Sequence, residues 1–131
     1  MFIDASALTA ILADEEDARL LSERLEKHDR RITSPLAVWE ATIAVARILD
    51  ETLEEAHSDV ERFLALSSIE VVDIPASARF LAIDAAQRYG KGRHPAALNF
   101  GDCFAYACAK LASAPMLYKG DDFALTDIAP A

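Results

Sequence analysis

Short apolar runs alternate along the chain with longer stretches in which apolar residues return every three or four positions. Met1 to Ile3 is the first run, and a helical pattern follows over Ala7 to Leu12. From Asp14 to Lys27 the helical spacing continues, marked by Ala18, Leu21 and Leu25. Arg31 to Thr33 predicts a short strand. Ser34 then supplies a hydroxyl cap and Pro35 a first-turn proline for a helix that reaches about Leu49. Leu36, Trp39 and Ile43 form the apolar stripe of that helix, which assigns Trp39 to the core. Leu53, Ala56, Val60, Phe63 and Leu64 mark one face of a further helix over Glu51 to Leu66.

The second half repeats the alternation. Ile69 to Ile74 predicts a strand, because β-branched residues precede Pro75 without helical periodicity. Ala76 to Tyr89 returns to a helix, which Gly90 stops. A loop with Gly and Pro covers 90 to 98. Asn99 to Leu111 is the last helix, with Phe104 on its core side, and Met116 to Tyr118 the last strand. No linker or repeat interrupts the pattern, so residues 1–131 read as one domain. Short buried strands alternating with helices predict an α/β protein, a mostly parallel sheet covered on both faces. Ligands of such sheets bind beyond the carboxyl ends of the strands.

That rule directs attention to the acids. Asp4 directly follows the first strand, Glu40 lies in the first turns of the helix after the second, and Asp121 and Asp122 follow the last. Asp102 stands at the start of the last helix. Each has a local reading: Asp4 with Ser6 as a turn and cap, Asp102 with Asn99 as a cap pair, and Asp121 and Asp122 as turn residues after Gly120. Glu40 is the exception, because it falls within an apolar stripe. Together the acids are aimed at one sheet edge, where their mutual repulsion favours a compensating cation. A set of oxygen ligands without His or Cys suits Mg²⁺ or Mn²⁺ better than Zn²⁺.

Composition narrows the picture further. With 13 Lys or Arg against 22 Asp or Glu, the net charge is −9, which excludes an indiscriminate duplex binder with a broad basic face. The segment between Asp84 and Asp102 is the exception, carrying Arg88, Lys91 and Arg93 with no acid, and it leads toward a phosphate backbone as ligand. Asp4 interrupts the N-terminal apolar run too early for an export signal. No apolar run approaches the ~18 residues of a membrane span. Cys103 and Cys108 are separated by about 140° around their helix axis and cannot bond to each other. These features predict a reduced, cytoplasmic protein with no membrane association. Cys103 beside Asp102 reads as a small buried residue rather than a nucleophile. A receiver-like or other non-enzymatic module with an acidic pocket is the alternative class.

Phe2-Ile3-Asp4-Ala5-Ser6-Ala7-Leu8, Glu40, Asn99-Phe100-Gly101-Asp102-Cys103 and Lys119-Gly120-Asp121-Asp122-Phe123 resemble the PIN-domain ribonucleases, and among them the VapC toxins of type II toxin–antitoxin systems. The ordered set spans essentially the whole chain. The resemblance implies a three-layer α/β/α fold and an acidic site that holds Mg²⁺ or Mn²⁺. It also implies endonucleolytic cleavage of RNA, a VapB-type antitoxin as inhibitor, and homodimers. Carried over, Asp4 and Asp102 match the metal ligands, and Glu40 matches the acid of the middle helix. Asp122 aligns with the acid before Phe, with Asp121 as its alternative, because Gly120 occupies the place of an earlier acid in many relatives. Arg88, Lys91 and Arg93 are the candidate contacts to RNA.

Overall fold

Phe2 and Ile3 point into different cores. The computed structural model describes residues 1–131, and these two residues are its first strand, β1 (Phe2–Ile3). The other elements are α1 (Ala5–Leu12), α2 (Ala18–Glu26), β2 (Arg31–Thr33), α3 (Pro35–Leu49), α4 (Leu53–Leu66), β3 (Ile69–Val71), α5 (Ala78–Tyr89), α6 (Phe100–Leu111) and β4 (Met116–Leu117). The four strands form one sheet in the order β3-β2-β1-β4, and every pairing is parallel. Phe2 sits opposite Ile32 on one side and Met116 on the other.

Alternation along the strands divides the apolar residues between two faces. Phe2, Ile32 and Met116 pack with Ala82, Tyr89 and Tyr106 of α5 and α6. Ile3, Ile69 and Leu117 pack with Leu8, Leu21, Ala41, Val60 and Leu64 of α1 to α4. This is the expected α/β/α sandwich. The outer side of β4 is covered by the chain end, where Ala131 N donates to Met116 O at 2.9 Å and Arg24 Nε donates to Ala131 O at 2.6 Å. No helix is long and apolar enough to cross a membrane.

Three expectations are corrected. The third strand ends at Val71, not Ile74: Thr33, the last residue of β2, offers its carbonyl to Val72 N, and Ser34 then turns into α3, leaving Asp73 and Ile74 without a partner strand. The helix expected from Asp14 begins only at Ala18, since Asp14 takes a left-handed φ of 50° and heads a run of four acids that repel in one helical turn. Trp39 is 61% exposed rather than core. Small residues, Ala37, Ala41 and Val45, form the buried face of α3 and bring it close to α1 and α4, which turns the larger stripe outward.

Candidate active site

The carboxyl ends of β1 and β4 open onto an acidic pocket of about 350 Å³. Asp4 lies on its floor and is only 4% exposed. It caps α1, its Oδ2 accepting from Ser6 N at 3.0 Å and Ser6 Oγ at 2.5 Å. The Ser6 hydroxyl in turn accepts from Lys119 N at 3.0 Å, tying the acid to the segment after β4. Burial raises the Asp4 carboxyl, and the bonds from Ser6 oppose that rise without cancelling it. Asp4 is therefore both the cap of α1 and part of the pocket lining.

Asp102 enters from α6. It forms a reciprocal cap with Asn99, in which Asn99 N donates to Asp102 Oδ2 at 2.8 Å and Asp102 N donates to Asn99 Oδ1 at 3.0 Å. Burial, chiefly, pushes Asp102 up to about 6; the Asn99 bond lowers it, and the charges of Asp4 and Asp122 raise it. Glu40 approaches from the first half of α3, across from Gly101, whose missing side chain leaves the space the carboxylate occupies. Burial first, then the charges of Asp4 and Asp102, push Glu40 up to about 7. Three acids from three segments thus share one field.

Asp121 and Asp122 are placed differently. Both are exposed in the turn after Gly120, which needs its φ of 90°. Asp122 leads a 3-10 turn, Phe123–Leu125, anchored by buried Phe123 against Tyr118. Its charge reaches Asp102, but it does not line the pocket. The basic stretch is also divided. Arg88 turns away to Asp84 at 3.2 Å and Asp127 at 3.4 Å, whereas Lys91 and Arg93 line a separate, mostly apolar cleft of about 600 Å³.

Arg47 and the Glu15–Lys119 ion pair complete the pocket wall and were not singled out by sequence. Arg47 had a usable signal: it stands two helical turns after Glu40, on the same side of α3. Glu15 had none, because only the turn at Asp14 brings it there. Cys103 and Cys108 are free and buried, and burial pushes both thiols up, away from nucleophilic use.

The donor set fits a hard divalent cation: carboxylate oxygens, no imidazole or thiolate, and charges that burial alone leaves uncompensated. No three of these side chains close around a point by themselves.

The family model of the PIN domain matches residues 1–129. Ribonuclease VapC of Mycolicibacterium smegmatis is 41% identical over 129 residues, covering 98% of each chain. Ribonuclease VapC30 of Mycobacterium tuberculosis is 37% identical, covering 98% of this chain and 96% of its own. The crystal structure of M. tuberculosis VapC20, a sarcin-ricin loop cleaving toxin, superposes with a TM-score of 0.77 at 16% identity, covering 99% of this chain and 97% of that one; it shows the shared fold. The chain belongs to the PIN-domain family. Within that family its full-length relatives put it among the VapC ribonucleases.

Proposed function

We propose that the chain is an endoribonuclease dependent on Mg²⁺ or Mn²⁺, acting as the toxin of a type II toxin–antitoxin pair. The observation that carries this reading is the sharing of one pocket by Asp4, Glu40 and Asp102, with Glu40 at about 7 and Asp102 at about 6. RNA as the substrate is supported by the names of the relatives, since acid-site hydrolysis does not itself distinguish RNA from DNA.

Asp4 and Asp102 would hold the divalent cation, which when bound supplies charge at the scissile phosphate and a more acidic water. Glu40, whose carboxyl stands at about 7, takes up the proton released by the attacking water. Asp122 adds negative charge at the mouth, close enough to act on Asp102. Arg47 brings positive charge to the wall that a phosphate would face, where Lys119 is paired with Glu15. Lys91 and Arg93 contact the RNA backbone beyond the pocket, while Arg88 is occupied by Asp84 and Asp127. Because water attacks rather than the 2′-hydroxyl, the product keeps a 5′-phosphate.

A VapB-type antitoxin is part of this proposal. The acidic pocket is bordered by half-exposed Ile48, with exposed Trp39 and Ile43 on the same helix, a setting that receives an arginine from an apolar partner segment. A homodimer in the cytoplasm completes the reading. The test is hydrolysis of a fluorogenic RNA with Mg²⁺ or Mn²⁺, with the product ends identified. Full activity in Asp102→Asn, or activity undiminished by EDTA, overturns it.

A further inference from the structure

The larger cleft lies beside the acidic pocket, and Asn99 lines both. In a chain of net charge −9, its wall carries Arg79, Lys91 and Arg93 and no carboxylate. None of the three cations belongs to an ion pair. The floor is apolar, built from Leu98 and Phe104 among others. At its edge Phe100 is 69% exposed, its ring centroid 5.0 Å from that of Phe104 and inclined at 54°. One aromatic ring is therefore supported from within and open to solvent, one residue from Asn99 and two from Asp102.

We infer that this cleft is a base-binding subsite for unpaired RNA, in which a nucleotide flanking the cut stacks on Phe100 while Lys91 and Arg93 hold its phosphates. The inference rests on the ribonuclease reading and adds what that reading lacks, a place where nucleotides are chosen. Charge complementarity selects the occupant: an apolar floor alone would suit a second copy of this chain, but a rim of unpaired cations matches a polyanion that carries flat apolar faces. A paired base cannot offer its face, so the subsite requires a single strand, loop or bulge. The volume, about 600 Å³, lies within the ordinary range for small-ligand sites.

The experiment measures anisotropy of a labelled single-stranded RNA of mixed sequence, about ten nucleotides long, with the Asp102→Asn protein in Mg²⁺. An abasic nucleotide is moved through the RNA one position at a time. Phe100→Ala in the Asp102→Asn background is expected to weaken binding about 10-fold or more. One abasic position should cause a similar loss with Phe100 present and little further loss with Phe100→Ala, and Phe100→Trp should restore affinity. Lys91→Ala and Arg93→Ala should each reduce the salt dependence. A flat abasic scan with unchanged affinity in Phe100→Ala overturns the inference, as does binding of duplex in preference to single strand. It is also overturned if Phe100→Ala converts a dimer to a monomer in sedimentation without changing RNA affinity. Cleavage by the native protein alongside a flat scan removes the subsite and leaves the ribonuclease reading. A position-specific loss without cleavage does the reverse.

Discussion

Gly101 and Glu40 occupy complementary space. A Cβ at position 101 would stand 2.5 Å from Glu40 Cδ and 2.6 Å from Oε2, closer than atoms can approach. The glycine is in a helix, where it costs about 1 kcal/mol relative to alanine, so its presence in the cap of α6 is explained by the carboxylate across from it. Gly101→Ala is expected to push aside the Glu40 carboxylate, the far end of a flexible side chain, so that the clash roughly offsets the ~1 kcal/mol the helix gains while RNA hydrolysis falls. In the Glu40→Ala background the same change should stabilise. Urea unfolding of the four proteins checks this, and additivity of the two substitutions would contradict it.

Asp4 combines a cap with a buried charge, and the two can be separated. Asn caps a helix as well as Asp, so Asp4→Asn keeps the turn with Ser6 while removing a charge that burial disfavours. In EDTA the variant is expected to melt several degrees above the native protein, a gain of about 1 kcal/mol or more. Mn²⁺ is expected to raise the Tm of the native protein and to leave that of the variant unchanged. Asp4→Ala, which also loses the cap, should melt below Asp4→Asn.

The raised acids give the metal-free protein an uncommon pH profile. Glu40 stands at about 7 against 4.5, and Asp102 at about 6 against 3.8. Folded values above unfolded ones mean that the native chain binds more protons over that interval, so stability declines as pH rises through it. In EDTA the Tm should therefore be higher at pH 5 than at pH 8. Mg²⁺ or Mn²⁺ should flatten the difference, and Glu40→Gln should remove part of it. Calorimetry at fixed ionic strength decides; a Tm that rises from pH 5 to 8 in EDTA would contradict the assignment.

Far from the pocket, Tyr106 illustrates the opposite sign. Its hydroxyl, on a side chain 2% exposed, donates to Asp127 Oδ1 at 2.6 Å, and Lys110 and Arg88 also face that carboxylate. The Tyr106 bond, with Lys110 and Arg88 adding to it, holds Asp127 down at about 2. Its contribution is present above the unfolded value of 3.8 and lost as pH falls toward 2. Tyr106→Phe should cost about 1.5 to 3 kcal/mol in urea unfolding, the range for a bond to a charged group. It should leave RNA hydrolysis unchanged and weaken the pH dependence below 4.

Much of this architecture is legible in the sequence because it follows from local rules. Ser34-Pro35 opens α3 as written, and Asp4 and Asp102 reach the pocket because strand ends and helix starts face one sheet edge. What is not legible depends on neighbours. Trp39 outweighs Ala41 in any hydrophobic pattern, yet the closeness of α1 and α4 makes the small residue the buried one. Arg88, Lys91 and Arg93 read as one basic stretch, but Arg88 pairs with Asp84 one helical turn earlier, which the spacing offers, and with Asp127, which only the folded surface brings near. The space between Gly101 and Glu40 links residues sixty-one positions apart, and no spacing rule reaches that far.

The two-residue strand β1 has a consequence for how sequence length is tolerated here. Phe2 and Ile3 serve opposite layers, and Asp4 is the next residue. Inserting or deleting one residue between Met1 and Asp4 would exchange the layers that each side chain fills and carry the carboxylate off the pocket floor. The layers could be repaired by compensating substitutions, but the acid could not. Length at this point is therefore set by the carboxylate even where the packing could adapt, and a one-residue indel here would act as an inactivating lesion.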